Sequence, residues 1–122
     1  AGSSAVVDRG FVTYSNEAKA QMLEVPAALI GVHGAVSEPV ARAMEEGALQ
    51  RSRAQVAVAV TGIAGPGGGS ADKPVGLVHF AAAGHDGVVH HAARFGDIGR
   101  EGVRLASVEQ ALHMLAARIA AA

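Results

Sequence analysis

One residue pair, one loop and one charged triplet in this chain carry side chains and backbone that could do chemistry. Lys19 is one of two lysines among 122 residues, and Tyr14, just upstream, is the only tyrosine. With Ser15 read as a helix N-cap, Tyr14 takes position N′ and Lys19 position N4, which pack together in a hydrophobic staple. A lysine held at such a corner and partly desolvated has its pKa lowered and can serve as a general base. The bland alternative is a solvated ammonium beside an ordinary packing tyrosine.

The second feature is Val60-Thr61-Gly62-Ile63-Ala64-Gly65-Pro66-Gly67-Gly68-Gly69-Ser70, an apolar run that breaks into a glycine-rich loop. Such a loop lets backbone N–H groups approach a ligand where side chains would intervene. It lacks the Gly-Lys-Ser/Thr of a Walker A loop, and Lys73 comes too late to supply it. No Gly-x-Gly-x-x-Gly spans Gly62–Asp72 either. What remains is a hydroxyl and several N–H donors at a strand's C-terminal edge, where open α/β sheets bind ligands. The alternative is a glycine-rich connection without a ligand.

The third feature is Asp97, Arg100 and Arg104 at the start of the last helix. Arginines at i and i+4 share a face and could grip a phosphate or carboxylate. Basic side chains in a first turn oppose the helix dipole, at about 0.3–1 kcal/mol, so a purely structural role explains Arg100 poorly. The histidines form no metal pattern: adjacent His90 and His91 in a strand point to opposite faces, and His33, His79, His85 and His113 stand apart. No metal and no cofactor are expected.

Elements must hold these groups in place. Ala5 to Thr13 reads as a strand. Ser15 or Asn16 caps a helix to Leu23, ended by Val25-Pro26. Pro26 to Val32 reads as a further helical turn closed by Gly34. Ser37 opens a helix to about Ser52, with Val40, Ala43, Met44 and Ala48 inward. Gln55 to Thr61 is a continuous apolar run, expected as a strand covered on both faces. Val75–Ala83 and Val88–Phe95 read as strands joined by the turn Gly84-His85-Asp86-Gly87. A helix over Arg100–Ala121 offers Val103, Ala106, Val108, Ala111, Leu112, Leu115 and Ile119 to the core. Four strands with an antiparallel pair predict a small mixed sheet in one α/β domain spanning residues 1–122.

Composition agrees with an α/β layered fold and excludes several functions. Half of the chain is apolar, but aromatics make up 3%, so the core must be Val, Ala, Leu and Ile. The net charge of −1, with no basic block, gives no footprint for nucleic acid. Without cysteine there is no disulfide, thiolate metal site or cysteine nucleophile. No segment approaches the ~18–20 apolar residues of a membrane span, so a cytoplasmic protein without a membrane partner is expected.

Four ordered blocks carry a resemblance: Asp8–Lys19, Gly34–Glu38, Ala59–Gly68 and Lys73–Gly76. Over nearly its whole length the chain resembles the CinA C-terminal domain family, which includes nicotinamide-nucleotide amidases and competence/damage-inducible proteins. That resemblance implies a three-layer α/β/α sandwich that hydrolyses the carboxamide of nicotinamide mononucleotide, with a serine nucleophile. It implies that Lys19 deprotonates the serine and that Tyr14 orients or relays the proton. Thr61 and Gly62, with Ala64, Gly65 and the neighbouring N–H groups, take the oxyanion or phosphate role. The resemblance also implies a catalytic role for Arg100, which matches the arginine of the family's Gly-Asp-Arg motif, though Ile98 and Gly99 separate it here from Asp97. Ser4 matches a later Gly-Ser-Ser stretch, a secondary substrate contact. The nucleophile's Ser-x-Thr-Gly-Gly segment is not among these residues. The expectation is an N-terminally incomplete domain, missing a helix and a strand, that alone does not hydrolyse the nucleotide. Two other readings stand beside it: a non-catalytic nucleotide-binding or assembly module, and a homodimerisation element built on the Ala-rich last helix.

Overall fold

The computed structural model describes residues 2–121. A 3-10 turn, Ser3–Ala5, precedes three helices, α1 (Asn16–Leu23), α2 (Ala27–His33) and α3 (Glu38–Gln50). Strands β1 (Ala57–Gly62), β2 (Leu77–Gly84) and β3 (Gly87–Arg94) follow, and α4 (Arg100–Ala121) closes the described chain. The strands pair antiparallel in the order β1-β2-β3. Helices α1 to α3 cover one face, with Leu23, Val25, Ile30, Val40 and Met44 packed on Ala59. Helix α4 covers the other, setting Val103, Ala111 and Met114 against Val78, Phe80 and Ala82. This is the three-layer α/β/α arrangement.

Local chemistry explains the helix ends. Ser15 is extended (φ −93°, ψ 161°) and its Oγ accepts the Ala18 N–H at 3.0 Å, an N-cap that satisfies one orphan donor. Helix α1 ends at Glu24 in the left-handed region, just before Val25-Pro26. Ser37 precedes α3 in an extended conformation, with proline in the first turn. Gly47 lets α3 cross the end of α1, because a Cβ there would overlap the Leu23 carbonyl. That contact sets the spacing of the two helices.

Four expectations are corrected. The stretch Ala5–Thr13 forms no ladder: Phe11 and Thr13 turn inward while Val12 is 84% exposed, so the alternation survives without a strand. Its anchors are polar instead, with Asp8 Oδ2 accepting the Arg53 N–H at 3.0 Å and Arg9 donating to the Arg51 carbonyl at 3.0 Å. The described sheet therefore has three strands, all antiparallel, rather than four in a mixed sheet. Strand β1 has a helix on each face, α3 on the Ala59 side and α4 on the Val58 side, but the cover is partial, and among the described residues it pairs with β2 alone. Ala59 and Thr61 are buried but Val60 stays open, whereas β2 takes the covered central position. Finally, α4 buries the Val103–Ala111–Met114 stripe, while Val108, Leu112 and Ile119 remain exposed. Helix α4 is apolar over a wider arc than a three-stranded sheet can cover. Val108, Leu112 and Leu115 line a groove of about 440 Å³ beside β1.

Candidate functional site

The glycine loop leaves the end of β1 and returns at the start of β2, and it is braced from within. Ile63 N–H donates to the Leu77 carbonyl at 3.0 Å, and Gly76 N–H to the Ile63 carbonyl at 2.8 Å. Ser70 and Lys73 close a smaller turn, with Ser70 N–H on the Lys73 carbonyl and Lys73 N–H on Ser70 Oγ. Gly65 sits at φ +82°, and a Cβ there would collide with the Val75 side chain, so the position tolerates only glycine without rearrangement. Among the described residues, the N–H groups of Ala64, Gly65, Gly67, Gly68 and Gly69 find no protein acceptor. The loop thus offers a row of backbone donors at a strand end.

The corner between α2 and α3 fixes both ends of this loop. Its successive carbonyls of His33, Gly34 and Ala35 each accept a side-chain hydrogen bond. Lys73 Nζ donates to His33, Ser37 Oγ to Gly34 at 2.8 Å, and Thr61 Oγ1 to Ala35 at 2.8 Å. Ser37 spends its hydroxyl on the corner and makes no capping bond to its own helix. From α4, Arg100 Nη1 donates to the Gly65 carbonyl at 3.1 Å. Thr61, Gly62, Ala64, Gly65 and Arg100 are therefore brought together, and Lys73 joins them as a brace.

The remaining candidates lie on the N-terminal side. Lys19 is 6% exposed, and its Nζ donates to the Thr13 carbonyl at 2.9 Å. Burial pushes its ammonium below the ordinary lysine range. The staple with Tyr14 does not form, because Tyr14 is 85% exposed and cannot be packed on Lys19. Lys19 is instead buried by the chain's turn at Thr13, which supplies a carbonyl where the staple would supply a ring. Ser4 lies exposed in the Ser3–Ala5 turn. Among the described residues, no hydrogen bond joins Ser4, Tyr14 or Lys19 to the glycine loop. Arg104 lines the groove beside β1, away from its i−4 neighbour's partner.

One polar cluster escaped the sequence reading. His79 of β2 and His90 of β3 share a hydrogen bond, Nδ1 to Nε2 at 2.8 Å, with rings stacked 5.1 Å apart. His90 Nδ1 lies 3.5 Å from Glu38 Oε1 at the start of α3. Desolvation, then the neighbouring His90 and Lys73 charges, hold His79 below the usual imidazole range. Desolvation does the same to His90, partly offset by Glu38. His79 is the cross-strand partner of Thr61, so the pair shares the face that supports the loop. The hairpin register that pairs Gly84 with Gly87 also makes these histidines diagonal neighbours. That signal lay in the turn, not in the spacing of the histidines.

These features define an α/β/α domain with a donor-lined glycine loop at a strand end, held by a helix corner and an arginine. The family model of the CinA C-terminal domain matches residues 1–119, and the chain belongs to that family. A CinA-like protein of Parasynechococcus marenigrum (strain WH8102) is 54% identical over 121 residues, covering 98% of this chain and 29% of the relative. A CinA-like protein of Anaeromyxobacter dehalogenans (strain 2CP-C) is 53% identical over 94% of this chain and 28% of its own length. The chain thus spans under a third of the curated relatives it matches. Among solved structures, a competence/damage-inducible protein from Agrobacterium tumefaciens has TM-score 0.94 and 64% identity, covering 96% of this chain and 72% of that one. A CinA-superfamily protein from Escherichia coli has TM-score 0.81 and 37% identity, over 87% of this chain and 61% of that one. Among the described residues, no helix is long and apolar enough to cross a membrane.

Proposed function

We propose that this chain is part of an amidohydrolase that converts nicotinamide mononucleotide to nicotinic acid mononucleotide and ammonia. One observation carries the reading: Lys19 is a buried lysine whose basicity is lowered by desolvation, while its amine is held by one carbonyl. An amine in that state is more readily neutral and able to take a proton from a serine hydroxyl. The free N–H groups from Ala64 to Gly69 supply donors for an oxyanion or a phosphate, and Arg100 fixes their loop. Tyr14, open to solvent, is free to meet a substrate or a serine brought beside it. Ser4 takes a secondary substrate contact. The nucleophile belongs to the family's Ser-x-Thr-Gly-Gly segment, which these residues do not contain.

Ammonia release from nicotinamide mononucleotide is the direct test, with the Ser-x-Thr-Gly-Gly segment supplied in the same polypeptide. Turnover that needs both that segment's serine and Lys19 supports the reading. An intact fold that binds the nucleotide without turnover favours a non-catalytic module. The separation of Lys19 from the glycine loop in the described hydrogen bonds is the observation on that side.

A further inference from the structure

The opposite end of the sheet holds a cavity that the amidase reading does not use. It measures about 450 Å³, within the range of small-molecule sites, and lies between α3 and the β2–β3 hairpin. Leu49, Ala83, Gly84 and Val88 give it an apolar wall, and Glu45 enters it from α3. Glu45 is 2% exposed, and among the described residues its carboxyl has no hydrogen-bond or ion-pair partner. The neighbouring charges are occupied: Arg42 pairs with Glu38 at 2.9 Å, and Glu46 accepts from Gln50. Among the described residues no fully buried side-chain oxygen or nitrogen lacks a partner, so the unpartnered Glu45 carboxyl keeps some access, and Glu45 lines this cavity.

A carboxylate set in an apolar wall recognises a cation that carries its own apolar stem. We propose that this cavity binds a small primary alkylammonium, with the ammonium on the Glu45 carboxylate and the alkyl stem against Leu49, Ala83 and Val88. Glu45 and Glu46 both bring negative charge to this cavity, and the one cation that lines it, Arg42, is paired with Glu38. Burial, then the neighbouring Glu46, push the Glu45 carboxyl up to about 6 against the opposing Arg42 charge, so Glu45 is mostly charged above that pH and mostly neutral below it. A cation is therefore held at neutral pH and released in acid.

The probe is n-butylammonium, titrated into the chain while backbone amide signals of Gly84 and Gly87 are followed by NMR. Saturable shifts at pH 7.5, at least about tenfold weaker at pH 5 and lost in Glu45→Gln, are expected. n-Butanol, with a similar stem and no charge, should give no saturable shift. The pH series and the alcohol comparison use the unmodified chain, so the test does not depend on the variant folding. Equal affinity at both pH values, equal affinity in a folded Glu45→Gln variant, or the absence of saturable shifts would overturn the proposal. None of these readouts depends on nucleotide turnover, so the amidase reading stands or falls separately.

Discussion

The glycine loop after β1 and the stretch before α1 both lack regular structure, yet they differ in nearly every other respect. The loop has the composition of a flexible linker but is tied at Thr61, Gly65 and Lys73 by side-chain bonds to or from other elements. The stretch 6–14 has the composition of a strand but presents Val6, Val7, Val12 and Tyr14 to solvent. Both are tied by long-range hydrogen bonds, the stretch through Asp8 and Arg9, so the difference lies in the apolar side chains that the stretch leaves in water. A β pattern needs a neighbouring ladder, whereas a glycine loop needs only partners for its few fixed groups.

The comparison breaks most visibly at Thr61. Thr61→Val keeps the shape but leaves the Ala35 carbonyl without its donor, and denaturant unfolding should show a loss of about 2 kcal/mol. Amide exchange in the loop should accelerate together with that of the 33–37 corner. If the loop alone speeds up, the corner is not its anchor.

A smaller effect is expected on the acid limb. His79 and His90 are both held below the ordinary imidazole range, so the unfolded chain takes up protons first as pH falls below about 6.5. The stability they contribute is present above that pH and is lost as pH falls toward the folded-state values. His79→Phe should flatten this part of a stability-versus-pH curve. An unchanged acid slope would mean that the pair does not stay neutral in the fold.

The smallest effect belongs to the exposed stretch. Val12→Ser should change stability by less than about 0.5 kcal/mol, because its side chain is already in water. A loss of more than about 1 kcal/mol would show that the Val12 side chain is packed in solution, and would erase the contrast with the loop.

How much was legible follows from the range of each interaction. Helix α1 could be read closely, since the Ser15 or Asn16 cap and the Val25-Pro26 stop act within one turn of the chain. The loop was legible from its glycines, and Arg100 from its unfavourable place in a first turn, later explained by the Gly65 carbonyl. Three features were not. A buried Lys19 is one of two readings the sequence leaves open, and with Tyr14 as its cover, because sequence offsets cannot tell which way a chain turns before a cap. The apolar run of β1 reads as a strand covered on both faces, whereas how fully each face is covered depends on where the helices lie across the sheet. The His79–His90 pair needed the hairpin register carried across two strands.

Lys19 is where stability and chemistry should oppose each other most clearly. Its folded-state pKa is lowered by burial, so the unfolded chain binds the extra proton between that value and about 10.4. Stability attributable to this group therefore rises with pH across that window, and below it the cost of burying the ammonium is fully present. The decisive measurement is Lys19→Met, followed by ammonia release from nicotinamide mononucleotide and by thermal unfolding at neutral pH, with the Ser-x-Thr-Gly-Gly segment in the same polypeptide. The account predicts a loss of about 10³-fold in kcat together with an equal or higher Tm. Activity within about tenfold of the unsubstituted protein, in a variant that remains folded, would contradict it.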